Sequence, residues 1–198
     1  MKKLREGVST GSCMTGGAAA AALWLVTGKC PEMIQVETPI GKTLYLDVIP
    51  KEPGVCGVIK DAGDDPDVTD GSEIVTRVEL LPEDGEVIFK GGEGVGTITK
   101  EGLKLPVGEP AINPVPRQMT REALRKIIGD RGAVVTVSVP GGEELARRTF
   151  NPRLGVLHGL SILGTTGIVR PMSEEAMKDS LLVELDMYAR QGHRSILF

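Results

Sequence analysis

Ser12-Cys-Met-Thr-Gly-Gly-Ala-Ala-Ala-Ala-Ala-Leu-Trp-Leu-Val-Thr27 is the stretch on which the fold turns. Ser12 suits a helix N-cap and Gly28 suits the left-handed residue that ends a helix. The spacing therefore predicts one helix over Ser12–Thr27. Ala18 to Val26 leave it almost no polar face. A helix with small apolar side chains on nearly every side is packed closely on several neighbours. The chain beyond this helix is β-rich. Ile34–Glu37 and Thr43–Ile49 alternate apolar and polar residues around a Pro39-Ile-Gly41 turn, which reads as a hairpin. Val55–Ile59, Glu73–Leu81 and Glu86–Lys90 read as further strands, and Gly96–Lys100 as a short one.

Working outward, residues 105–119 are proline-rich and read as irregular, and Thr120–Ile128 reads as a helix capped by Thr120 and stopped by Gly129. Ala133–Val139 is a nearly continuous β-branched run, the signature of a central strand. Glu143–Arg148 is a short helix candidate. Ser173–Arg190 is a longer one, with Met177, Leu181, Leu182, Leu185 and Tyr188 on one side. His193–Phe198 opens a last apolar run. The expected class is α+β. Residues 1–130 form a mixed or antiparallel sheet with a packed helix, and residues 131–198 form the start of an incomplete α/β domain.

Composition narrows the function. Of 198 residues, 40% are hydrophobic and 25% charged, which excludes disorder and collagen-like repetition. The 26 glycines and 13 prolines ask for many turns and close backbone approaches. One Trp, two Tyr and three Phe supply little base-stacking surface, and the net charge is −4, so nucleic acid is not an expected partner. The charge is uneven, net −7 over residues 1–110 and +3 over residues 111–198, so an anionic ligand favours the second stretch. Cys13, Cys30 and Cys56 form no CxxC, and the two histidines, His158 and His193, are isolated. Neither a disulfide framework nor a metal site is expected, and the compartment reads as cytoplasmic. The first apolar run, Ala18–Val26, is too short to span a bilayer.

Several motifs carry candidate chemistry. Thr10-Gly11-Ser12 opens the first helix, where free N–H groups and the dipole suit a carboxylate or phosphate; simple capping explains them as well. Cys13, in the first turn, sits where a thiol's pKa can be lowered, but no partner base is visible. Asp61, Asp64, Asp65, Asp67 and Asp70 crowd one loop shaped by Gly63 and Pro66. They could hold a divalent cation or be a solvated turn, and their spacing does not match a calcium loop. Gly91-Gly92-Glu93-Gly94-Val95-Gly96 could bring backbone close to a nucleotide or cofactor, although it is neither a dinucleotide fingerprint nor a P-loop. Asn113-Pro…Arg117 and Asn151-Pro-Arg153 each place an arginine after a fixed turn, where its fork suits carboxylates. Thr165-Thr166 stand in a glycine turn after an apolar strand.

Taken in order, Leu4-Arg-Glu-Gly7…Thr10-Gly-Ser-Cys13, Lys60-Asp-Ala-Gly-Asp-Asp-Pro-Asp67, Gly91-Gly-Glu-Gly-Val-Gly-Thr97, Ala111-Ile-Asn-Pro114…Pro116-Arg117, Thr149-Phe-Asn-Pro-Arg-Leu-Gly155 and Ile162-Leu-Gly-Thr-Thr-Gly-Ile168 resemble the CbiD family. The resemblance runs from residue 4 to about 173. It implies a C-methyltransferase of anaerobic cobalamin biosynthesis, moving a methyl group from S-adenosylmethionine to carbon 1 of cobalt-precorrin-5B to give cobalt-precorrin-6A. Under it, Thr10, Gly11, Ser12, Asn113, Arg117, Asn151, Arg153, Thr165 and Thr166 are expected to face the polycarboxylate ring, with Arg170 a further candidate. Asp64, Asp65, Gly91, Gly92, Glu93, Gly94 and Gly96 are expected to face the cationic donor. No catalytic residue is assigned. Family chains are longer, so the expectation includes a truncated C-terminus, with a second polypeptide supplying the remainder, or a homo-oligomer. A non-catalytic tetrapyrrole-binding or assembly subunit is the alternative reading, and a Mg²⁺-dependent phosphotransferase a weaker one.

Overall fold

The computed structural model describes residues 4–173, together with residues 178, 181, 182, 185, 188 and 189. The elements run β1 (Gly7–Val8), α1 (Thr10–Thr27), β2 (Met33–Glu37), β3 (Thr43–Asp47), β4 (Ile49–Glu52), β5 (Val55–Ile59), β6 (Glu73–Asp84), β7 (Val87–Gly91), β8 (Thr97–Ile98), α2 (Pro114–Ile128), β9 (Arg131–Ser138), α3 (Gly142–Ala146), β10 (Val156–Leu157) and β11 (Ile168–Val169). The class is α+β. The six described positions from 178 to 189 are helical. Met177 and the run His193–Phe198 lie outside the described residues.

The main sheet has the order β4-β5-β6-β9-β7. β9 is central: it runs antiparallel to β6, with Val78 opposite Val135, and parallel to β7, with Phe89 opposite Val135. Its Ala133, Val135 and Val137 are fully buried, which is what its β-branched run is for. β6 and β7 are consecutive in sequence but do not pair. The later strand β9 lies between them. β2 and β3 form the expected antiparallel hairpin. β8 is shorter than its sequence suggests, Thr97–Ile98 only.

α1 lies against β5, β6, β2 and α2. Every residue from Thr10 to Ala22 is buried, and the helix emerges only near its C-terminus. Alanines and glycines allow this because they let neighbouring backbones come close on all sides. Gly28, at φ +76°, ends it. The cap differs from expectation by three residues. Ser9, not Ser12, is the N-cap, and its hydroxyl oxygen accepts the Ser12 N–H at 3.1 Å. Ser9 has the extended backbone that a cap requires.

α2 also starts earlier than expected, at Pro114 rather than after Thr120. Pro114 and Pro116 occupy the first turn, where a missing N–H costs nothing. The prolines that suggested irregular chain are therefore helix starters. Thr120 is interior and buried, and its hydroxyl lies 2.9 Å from that of Thr15 on α1.

Candidate functional site

One segment, residues 156–169, gathers most of the sequence motifs. Beginning as β10, it pairs with β8, with Val156 opposite Ile98. Leu160 then donates to the Gly94 carbonyl and accepts from Gly96 N–H, each at 2.8 Å. The Ile162 carbonyl accepts from Asn113 N–H at 3.0 Å, at the start of α2. The Leu163 carbonyl accepts from Gly11 N–H at 2.7 Å, at the start of α1. The Gly167 carbonyl accepts from Ser12 Oγ–H at 2.6 Å and from Ser9 N–H at 3.2 Å. Finally β11 pairs with β1. The strap thus ties the glycine-rich loop, the Asn113 turn and both helix N-termini into one body.

This closes the start of α1. Thr10 and Ser12 are buried, and the Thr10 hydroxyl oxygen accepts from Leu163 N–H at 2.8 Å. A Cβ on Gly11 would lie 2.6 Å from Pro116 Cγ and 2.8 Å from the Leu163 carbonyl oxygen, so glycine here serves helix–helix and helix–strap approach. The donors expected to meet a ligand carboxylate meet protein carbonyls instead. Burial pushes the Cys13 thiol up to about 12, against the pull of Lys60, the opposite direction to the lowering that a helix's first turn can give.

The acidic loop is similarly occupied. Asp61 takes a two-pronged contact from the Arg5 guanidinium, which holds its carboxyl below the ordinary range. Asp64 accepts Arg5 N–H at 2.7 Å, Asp65 accepts Met172 N–H at 3.0 Å, and Asp70 accepts Ala62 N–H at 2.8 Å. Asp67 pairs at 2.8 Å with Lys60, whose side chain is 1% exposed. Desolvation raises the Asp67 pKa, but the bonds from Lys60 and Thr69 outweigh it, and the net direction is down. Among the described residues no group of three or more His, Cys, Asp or Glu could hold a metal ion.

The glycine-rich loop meets backbone. Gly94 has φ +70°, and a Cβ there would lie 2.0 Å from the Val139 carbonyl oxygen. Gly92 donates to Val137 O and the Glu93 carbonyl accepts from Val139 N–H, each at 2.8 Å. The Glu93 side chain is exposed. Asn151 is buried and bridges to the strap, donating from Nδ2 to Gly159 O at 3.2 Å and accepting from Ser161 Oγ at 3.3 Å.

The arginines divide. Arg117 is fixed inward: Nε donates to Ile112 O at 2.8 Å and one terminal nitrogen bonds Glu109 at 2.9 Å and Pro110 O at 3.2 Å. Arg153 is exposed, with its guanidinium 5.8 Å from the Phe150 ring centre. Arg170 is exposed and stands 3.6 Å from Glu6. Thr165 is exposed, while the Thr166 hydroxyl donates to Ile168 O at 3.0 Å.

Three residues received no functional role from the sequence. Lys60 is one, although its position between an apolar strand and a run of carboxylates was a usable signal. Arg121 is another: it stacks 5.0 Å from the Phe89 ring centre and lines a cleft of about 300 Å³ between α2 and the start of β7. Helical i, i+4 spacing from Arg117 to Arg121 and Arg125 marks that stripe. The third is His158, at φ +67°, on a smaller cleft of about 220 Å³ with Glu143 and Arg147.

The α+β body with its strap over two helix starts defines a recognised class. The CbiD family model matches residues 1–171, and the chain belongs to that family. It is 48% identical over 202 residues to the cobalt-precorrin-5B C(1)-methyltransferase of Thermoanaerobacter sp., covering 100% of this chain and 55% of that protein. A Methanocaldococcus jannaschii protein of the same name is 48% identical over 204 residues, covering 100% of this chain and 56% of its own length. The crystal structure of the cobalamin biosynthesis protein CbiD from Archaeoglobus fulgidus superposes with a TM-score of 0.67 at 31% identity, over 91% of this chain and 59% of that one. The chain spans about half the length of the curated relatives it matches. No helix among the described residues is long and apolar enough to cross a membrane.

Proposed function

We propose that this chain forms part of a cobalt-precorrin-5B C-1-methyltransferase that uses S-adenosylmethionine. The observation that carries the reading is the 48% identity, sustained along the whole chain, to relatives bearing that activity in their names. The reaction is an in-line displacement. The ring carbon supplies the electron pair for the new C–CH₃ bond, and the sulfonium sulfur keeps the pair of the bond that breaks. The donor leaves as the neutral thioether S-adenosylhomocysteine. Charge disappears from sulfur as the bond forms, so positioning and fixed electrostatics supply the acceleration.

The roles proposed for residues follow their exposure. Arg153 and Arg170 present guanidinium groups at the surface and pair with the ring's acidic arms. Thr165, also exposed, serves as a hydrogen-bonding contact. Arg117, Asn113 and Asn151 act from inside, holding α2 and the strap in place. Glu93 is the acidic group best placed to face a sulfonium, because its carboxylate is exposed while Asp64 and Asp65 accept backbone N–H groups. The narrower second reading is a tetrapyrrole-binding or assembly subunit that does not itself transfer the methyl group.

Incubation of the chain with methyl-labelled S-adenosylmethionine and cobalt-precorrin-5B tests the first reading, alongside an absorbance titration of the ring. Label transfer supports methyl transfer by this chain. Ring binding without transfer supports the second reading. Absence of both refutes both.

A further inference from the structure

Cys30 and Cys56 lie far apart in sequence, yet their sulfurs are 3.7 Å apart, in direct contact. Cys56 is on β5 and completely buried in the main core. Cys30 is half-buried, in the connection between α1 and β2, and packs against the same core. We propose that Cys30 and Cys56 form a dithiol site that closes to an internal disulfide when it meets a low-molecular-weight disulfide.

The geometry favours closure from one side. A disulfide needs the sulfurs about 2.05 Å apart. The remaining distance, roughly 1.7 Å, falls to the residue 28–32 connection, which lies outside both α1 and β2. β5 is held between β4 and β6 and has no need to move. The chemistry balances with the small disulfide as oxidant. The half-buried Cys30 thiolate attacks one of its sulfurs, forming a mixed disulfide and releasing one small thiolate. Cys56 then attacks the Cys30 sulfur and releases the second. Two protein S–H bonds are lost, one S–S bond forms, and the two protons end on two small thiols. Burial pushes the Cys56 thiol up to about 12, so the second step is the slow one and quickens with rising pH.

The closed site staples the emerging end of α1 to the sheet. The loop it closes, residues 30–56, contains the whole β2–β3 hairpin and β4. Cys13 is fully buried within α1 and serves as an internal control.

The test treats the folded chain with oxidised glutathione at pH 8 and reads intact mass, peptide mapping and thermal midpoint. The expected result is a loss of two hydrogens per chain and a single cross-linked peptide joining Cys30 to Cys56. Cys13 remains alkylatable after unfolding, and the thermal midpoint rises by about 5–10 °C. Cys30→Ser, at a half-exposed position that tolerates the change, is expected to abolish the two-hydrogen loss, whereas Cys13→Ala keeps it. A glutathione adduct that persists on Cys30, a cross-link that includes Cys13, or no reaction at pH 8 overturns the proposal.

Discussion

Replacing Gly94 by alanine separates two explanations of the Gly91–Gly96 loop, room for a ligand or room for the protein's own backbone. An added Cβ would sit 2.0 Å from the Val139 carbonyl oxygen and 2.9 Å from Gly142 Cα and its nitrogen. Relief requires a shift of about 1 Å in buried backbone, since real Cβ contacts stay beyond about 3 Å. Two 2.8 Å bonds depend on that spacing, Leu160 N–H to Gly94 O and Val139 N–H to Glu93 O. Leaving two buried donors without partners costs about 1–3 kcal/mol each. The left-handed backbone of residue 94 adds about 1 kcal/mol for any residue with a Cβ. The expected total is about 4 kcal/mol. Gly141 is the matched control: its φ is +74° and nothing lies within 4 Å of an added Cβ. Gly141→Ala therefore carries the backbone cost alone, about 1 kcal/mol. With a urea slope of about 2 kcal/mol/M, the two variants should lower the unfolding midpoint by about 2 M and about 0.5 M respectively. Equal shifts would refute the close-approach explanation and return the loop to the ligand one.

Asp67→Asn removes the counter-ion of a lysine whose side chain is 1% exposed, and should destabilise by about 3 kcal/mol in urea unfolding. The same pair predicts an acid sensitivity. A carboxyl whose folded pKa lies below its unfolded one contributes stability above the unfolded value and loses it as pH falls through the folded value. Asp67 is shifted down in this way, so the urea midpoint of the parent chain should fall below the ordinary carboxylate range more steeply than that of Asp67→Asn. Ser9→Ala removes the α1 cap and should cost about 1 kcal/mol, whereas Ser12→Ala leaves the cap and loses the strap bond to Gly167 together with the bond accepted from the Ser9 hydroxyl. Arg153→Ala should weaken tetrapyrrole affinity in an absorbance titration with the unfolding midpoint unchanged; unaltered affinity removes Arg153 from the ring contacts.

Much of this fold is local chemistry and was legible residue by residue. The small-residue run of α1, the period-two alternation of β2 and β3, and the β-branched run of β9 each answer to one element's own geometry. Helix starts were misplaced because the signals compete. Ser9 and Ser12 are both acceptable caps, and only the extended backbone of Ser9 chooses between them. Pro114 and Pro116 fit a turn and a first helical turn equally well until α2 has α1 to pack against. The order of the motifs was likewise enough to indicate the family.

The chain's own order of residues thus determined which segments become helix or strand, where the motifs stand, and the family they belong to. The tertiary structure alone decided what those motifs face. Gly11 N–H meets the Leu163 carbonyl, 152 residues further along the chain, and Gly94 meets Val139, because a buried polar backbone must find partners wherever the packed chain brings them. Such partners depend on distances in space, which neither periodicity nor spacing along the chain encodes.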